Sequence, residues 1–364
     1  AKQLSLASSV YDGEQITIAC FPSDEYENKE YEDPDFSAHR LVLFKRMRGG
    51  SDSYRDVAHW TTTEHCPMSV NTTMTTGAGA SGSMEEPIYL ATNVVCTRPD
   101  NGLGGSQTKF SYLRVYRYEP DPESWVEIGN YYWPADGVKY INDVALSAVL
   151  DDNGGDDLIV FWMQDCESQD NIHGFRIEDA ATRTTSEAIA ANSIYNPYSD
   201  IGPVINADWD DDVNKPRLTW TQKNGNVDET WVARVHFDPY TDQPDSLLPP
   251  VCISGNENSG NPILVMNRSK QTDSYDAFTM FYENNSVCRS DLLIINGADN
   301  WQPAVTVDEG YGMTPQEHAL TYRYFGIPLN LWKRSGVIQA DQRTISDSND
   351  AIKPILSTNR NNRK

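Results

Sequence analysis

The strongest constraint on this chain is a strand pattern that returns six times. Short runs of small and apolar residues begin at Gln3 (QLSLASS), Pro87 (PIYLATN), Val144 (VALSAVL), Pro203 (PVINADW), Pro262 (PILVMNR) and His318 (HALTYRY). A second run in matching register follows each one: ITIACF from Ile16, LRVYRY from Leu113, LIVFWM from Leu158, RLTWTQ from Arg217, AFTMFY from Ala277 and PLNLWK from Pro328. From Pro87 onward the first runs start about 56–59 residues apart, a period that belongs to radial repeats rather than to a two-layer domain. The expectation is an all-β, mostly antiparallel, six-bladed β-propeller in one domain, with blades over 1–63, 87–133, 144–192, 203–253, 262–307 and 318–364.

Aromatic and β-branched residues fill these runs, while Gly, Asn, Asp and Pro fill the gaps between them. The best helical candidate is EAIAANS from Glu187, which spans no more than about two turns. Between the first two blades the Thr/Gly/Ser-rich stretch TTMTTGAGASGSMEE, from Thr72, reads as a flexible connector or flap. The acidic run from Asp24 to Phe36 reads as a solvated insertion loop, and the polar end STNRNNRK as frayed.

Charge limits the partners. With 53 acidic against 29 basic side chains the net charge is −24, which argues against nucleic acid and anionic membrane surfaces as partners, since a binder of either must present a basic face. No apolar run reaches the roughly 18 residues of a membrane span. A chain that starts at Ala1 with no apolar leader is what signal-peptide removal leaves, and sequons at Asn71, Asn267 and Asn284 agree with export. Secretion and glycosylation at those three asparagines are therefore expected. The cysteines (Cys20, Cys66, Cys96, Cys166, Cys252, Cys288) are read as one or two disulfides, with buried thiols as the alternative.

Motif absences bear on chemistry. The chain has no nucleophile elbow, phosphate loop, dinucleotide fingerprint or paired-histidine metal motif. The Asp-rich turns Asp151–Asp157 and Asp208–Asp212 offer hard oxygen ligands to calcium, but Asp, Asn and Gly are also the ordinary residues of tight hairpins. No metal and no cofactor are expected. The ligand is expected to be a small-molecule substrate or a glycan.

The last repeat departs most from the pattern. His318, Tyr322, Arg323 and Tyr324 put a base, a cation and two phenols where other first strands carry small or apolar groups. The fourth repeat is polar in a similar way at Asn206, Asp208 and Trp209, and the second contributes Tyr89. In a propeller these strands converge on the central channel, so the expected pocket has His318, Arg323 and Tyr322 as catalytic groups and Tyr324, Asn206, Asp208, Trp209 and Tyr89 as substrate-binding groups. The structural alternative is that Arg323 pairs with Asp208 and the tyrosines pack between blades.

The strand order also resembles that of the fungal fucose-specific lectin superfamily, most closely in LRVYRYEP from Leu113 with Ser124-Trp125, and again in NIHGFRIED after FWMQ. That resemblance implies sugar sites built from an arginine on the second strand, a glutamate on the third and aromatic rings. The arginine column here holds Thr17, Arg114, Ile159, Leu218, Phe278 and Leu329, so only Arg114, with Trp125, makes an alternative sugar site. In overall plan the chain further resembles the related fungal hetero-Diels–Alderases of tropolone–sesquiterpenoid biosynthesis. This implies a cofactor-free cyclase joining a quinone methide to a terpene alkene, in which His318, Arg323 or a tyrosine hydroxyl polarises the diene and aromatic walls hold a near-attack geometry. That cyclase is the leading expectation. A secreted lectin with degenerate sites is the alternative, and a polysaccharide lyase or hydrolase propeller comes third.

Overall fold

The computed structural model describes residues 5–11, 14–22, 38–46, 52–61, 67–77, 87–98, 108–119, 124–133, 140–150, 155–165, 171–197, 201–210, 215–255, 258–266, 277–283, 286–295, 297–309, 313–323, 327–334, 337–342 and 354–359. It divides into two compact units, the first formed by Ala1–Tyr198 with Phe237–Ser246 and the second by Ser199–His236 with Leu247–Lys364.

The first unit holds three sheets. Strands β1 (Ser5–Tyr11), β2 (Glu14–Pro22), β3 (Ala38–Arg46) and β4 (Asp52–Thr61) form an antiparallel meander in chain order. The second sheet runs from β5 (Pro67–Thr76) through β6 (Ile88–Arg98) and β7 (Thr108–Glu119) to β8 (Ser124–Trp133). The third is built from β9 (Tyr140–Leu150), β10 (Asp156–Asp165) and β11 (Asn171–Ile177). Two short strands follow. β12 (Glu187–Ala188) returns to pair in parallel with β8, and β13 (Ser193–Tyr195) pairs with β11.

In the second unit β14 (Ile201–Asp210), β15 (Lys215–Asn224) and β16 (Val227–Phe237) form an antiparallel sheet. After β17 (Pro244–Leu247), three of whose residues belong to the first unit, β18 (Val251–Cys252) pairs with β16. Strands β19 (Ser259–Met266), β20 (Ala277–Glu283), β21 (Ser286–Ile295) and β22 (Ala298–Trp301) form the next sheet, with β23 (Val305–Glu309) also on β21. The last sheet is β24 (Met313–Arg323), β25 (Ile327–Arg334), β26 (Val337–Gln342) and β27 (Pro354–Asn359). All six expected first and second strands pair as antiparallel neighbours. Among the described residues no helix forms, and none is long and apolar enough to cross a membrane.

Burial explains why the first runs are small and apolar. From Val144 to Val149 every residue of β9 is buried, and so is every residue of β10 from Asp156 to Gln164. Strands covered on both faces read as continuous apolar runs rather than as an alternation. The second sheet is covered on both sides in another way. Ile88, Leu90, Tyr116 and Tyr118 face Ala7 and Ile18 of the first sheet, and Tyr131 meets Trp162 of the third. In the second unit Val232, Ile253, Phe281 and Cys288 form one cluster and Leu264, Ala277 and Leu292 another, with Trp301 packed against both.

Three expectations change. The start of the Thr-rich connector is strand, because Thr72–Thr76 pair with Ile88–Thr92 and Thr72, Thr73 and Met74 are buried. β-Branched threonines suit a half-buried pleated surface as well as a connector. The EAIAANS run is not helical. Ile189 is buried and its N–H donates to the Asn130 carbonyl at 2.8 Å, so pairing with β8 captures the backbone first. In the first Asp-rich turn Asp156 and Asp157 belong to β10 and are buried. Tyr89 donates to Asp156 Oδ2 at 3.1 Å, while Asp157 accepts from Arg176 Nε at 2.6 Å and from the Asp179 N–H at 2.7 Å. These two carboxylates serve internal pairing. Asp208, buried in β14, stands opposite Arg217. Residues 151–154 and 211–212 lie outside the described residues, as do the acidic run Asp24–Phe36 and the last five residues of the polar end.

Cys252 and Cys288 are thiols, and burial pushes the Cys252 thiol up. Cys66 and Cys166 lie outside the described residues. Asn71 stands within β5 opposite Asn93, whereas Asn267 and Asn284 lie outside the described residues.

Candidate functional site

Strand alternation puts Arg114, Tyr116 and Tyr118 on one face of β7. On β8, Trp125 stands opposite Tyr118 and Glu127 opposite Tyr116. A bulge then shifts the register, so that Asn130 stands opposite Arg114. The six residues therefore form a stripe that changes character along its length. At the inner end Tyr118 and Trp125 meet at 5.3 Å between ring centroids and pack into the cluster of Ile88, Leu90 and Met74. At the outer end Arg114 is half exposed and Glu127 is one-third exposed, with Arg114 Nε and Glu127 Oε2 3.9 Å apart.

The outer end is polar and mutually oriented. Arg114 also hydrogen-bonds the hydroxyl of Tyr116. Burial, reinforced by the Glu127 charge against the opposing effect of Arg114, pushes that phenol up to about 12, so it stays protonated at neutral pH. The Asn130 amide donates to Glu127 Oε1 at 3.3 Å and to Ser186 Oγ at 2.6 Å. An exposed pair at 3.9 Å adds at most about 1 kcal/mol to folding, so stability does not account for it. The arrangement sets a fork of N–H donors beside a carboxylate acceptor at a solvent-open edge, with a buried phenol beneath. Chemically, it can hold a neutral molecule carrying adjacent hydroxyl groups.

Of the residues expected from sequence, Arg114 lies in this constellation and Trp125 lies on the same stripe, half-buried against the core cluster. Tyr118, its cross-strand neighbour, is four residues from Arg114, roughly 13 Å along the strand. Tyr116, Glu127, Asn130 and Ser186 were missed. The first two were open to discovery, since residues two apart on a strand share a face. Asn130 and Ser186 were not, because a bulge and a returning segment bring them in.

The residues expected to line a central pocket belong to both units. Tyr89, in the first unit, is fully buried and donates to Asp156. In the second unit Asn206 Oδ1 accepts from the N–H of Leu264 at 3.0 Å, joining β14 to β19. Asp208 is buried beside Arg217, and Trp209 stands opposite Pro216. His318, Tyr322 and Arg323 occupy positions on β24 opposite Trp332, Pro328 and Ile327. Tyr324 lies outside the described residues. Among the described residues no group of three or more His, Cys, Asp or Glu side chains is gathered as a metal site.

No family model matches the sequence, and no curated protein does. The fold does have solved counterparts. The chain is similar to the α-L-arabinofuranosidase Arb93A from Fusarium graminearum, solved with an iminosugar inhibitor, at 10% identity over 97% of this chain and 92% of that one, with a TM-score of 0.50. It also matches the hemagglutinin-neuraminidase ectodomain of parainfluenza virus 5 at 8% identity, over 98% and 81% of the two chains, with a TM-score of 0.45. A Dos1 propeller matches at 11% identity, over 98% and 72%, with a TM-score of 0.42. The likeness is one of fold alone: an all-β chain of successive antiparallel sheets.

Proposed function

We propose that this protein binds carbohydrate at the outer end of the β7–β8 stripe. One observation carries the reading: Arg114 and Glu127, a cation and a carboxylate on one strand face, lie 3.9 Å apart and open to solvent. Arg114 donates to ring or hydroxyl oxygens, Glu127 accepts from sugar hydroxyls, and Tyr116 fixes the guanidinium from below. The resemblance of LRVYRYEP and its partner strand to fucose-specific lectins supports a neutral sugar. The Fusarium arabinofuranosidase, bound to an iminosugar, is a carbohydrate-active protein with a similar fold. Secretion and glycosylation at Asn71, Asn267 and Asn284 belong to the same proposal. Cofactor-free cycloaddition, the leading expectation from sequence, has no geometric support among the described residues.

A glycan array that includes a fucose-rich set tests the reading, with Arg114→Ala and Glu127→Gln probed beside the native protein. Expected is binding that free monosaccharide inhibits and that both substitutions weaken at least about tenfold, the loss of one charge-assisted hydrogen bond. A silent array with well-folded protein overturns the assignment.

A further inference from the structure

We propose that Ser186, on the segment that returns from the third sheet to the second, is a positioning residue for the Arg114–Glu127 site and acts through Asn130. The inference rests on the sugar-binding reading and names what holds its acceptor in place.

The returning segment is pinned on both sides of Ser186. Before it, the N–H groups of Thr182 and Arg183 donate to the Asp179 carbonyl at 3.0 and 2.9 Å. Arg117, buried on the opposite face of β7 from Arg114, donates from Nη1 to the carbonyls of Ala180 and Arg183 at 2.8 and 3.0 Å. After it, Glu187 and Ala188 pair in parallel with Gly129 and Asn130, and Arg183 closes a salt bridge to Glu187 at 3.1 Å. Ser186 is exposed, yet its backbone is fixed at either end.

Asn130 relays this fixed point to the site. Its amide nitrogen carries two hydrogens, and the two oxygens it meets are Ser186 Oγ at 2.6 Å and Glu127 Oε1 at 3.3 Å. The shorter bond orients the amide, and the oriented amide presents its second hydrogen to the carboxylate that faces Arg114. Without the serine oxygen the amide turns toward water, and Glu127, one-third exposed, regains rotamer freedom. A ligand must then order that carboxylate as it binds, which lowers affinity without a lost direct contact. Gly129 lies beneath the same segment: a Cβ there would lie 2.6 Å from Ile177 Cδ1 and 3.3 Å from Ile189 Cδ1, so the tips of those side chains would have to shift.

The test measures binding to fucosylated and other neutral-sugar glycans on the array, with L-fucose as soluble competitor, for the native protein and for R114A, S186A, S186T and N130D. The expected result for S186A is affinity about 3- to 10-fold lower, the worth of one hydrogen bond, with an unchanged thermal midpoint. S186T, which keeps the hydroxyl, restores binding. N130D, which sets a second carboxylate against Glu127, weakens binding at least as much as S186A. If the native protein binds nothing, the sugar-binding reading fails. If R114A abolishes binding while S186A binds like the native protein, or if S186T fails to restore it, the sugar site stands and the role of Ser186 is overturned.

Discussion

His173 lies flat on Trp162, with ring centroids 5.3 Å apart and planes within 10° of parallel. Tyr131 meets the same indole at 5.2 Å, so the stack joins β11 and β10 of the third sheet to β8 of the second. Burial lowers the His173 pKa from 6.5 to about 4, while the nearby Asn192 carbonyl favours the charged form only weakly. The ring is neutral at physiological pH.

A pH window follows from that sign. Between pH 6.5 and about 4 the unfolded chain takes up a proton at this residue that the folded chain refuses. The contribution of His173 is therefore intact above pH 6.5 and falls as acid is added, by about 3 kcal/mol across the window. Replacing His173 with Phe keeps the stack and removes the titration. Urea unfolding followed by indole fluorescence at pH 7 and pH 4.5 should lose stability for the native protein more steeply than for H173F. Equal slopes would show that the ring is not buried as described.

Asp299 titrates in a lower window. Burial raises its pKa, but hydrogen bonds and charge from Arg217 and Arg234 outweigh burial and hold the carboxyl below its usual value of 3.8. Its stabilisation is present above that value and is lost as pH falls through the folded pKa. Arg217 is wholly buried and meets Asp299 through two hydrogen bonds of 2.9 and 2.8 Å. D299A removes those two charge-assisted hydrogen bonds from the buried guanidinium and should cost about 1.5–3 kcal/mol, read as a urea midpoint shift with unchanged slope. A loss below about 1 kcal/mol would mean that water already screens the pair.

Tyr89 separates structure from binding. It is fully buried and its hydroxyl donates to the buried Asp156. Y89F should lower stability by about 1–3 kcal/mol and leave glycan binding unaltered. A change in affinity at constant stability would return Tyr89 to the ligand pocket expected from sequence.

Gly129 tests how tightly the returning segment seats. G129A forces a Cβ against Ile177 and Ile189, and overpacking of this kind costs about 1–3 kcal/mol. Thermal unfolding should show that loss together with weakened binding. Native-like stability would mean that the segment can rise without consequence.

The sequence by itself determined the strands. All twelve expected first and second strands are present in antiparallel pairs, because apolar runs bounded by turn residues are visible in one dimension. Its resemblance to fucose-specific lectins also pointed to Arg114 as an alternative sugar site, a cation in a column otherwise occupied by apolar residues and one threonine. It could not tell a threonine-rich strand from a connector at Thr72–Thr76, since the same residues suit both and only β6, lying alongside, decides. Nor could it reveal that Asn130 and Ser186 gather near Arg114. A bulge in β8 realigns Asn130, and the turn anchored by Arg117 carries Ser186 back 56 residues later to meet it. Local periodicity sets which face a residue occupies, whereas the meeting of side chains from different sheets depends on long-range packing that no single stretch of sequence encodes.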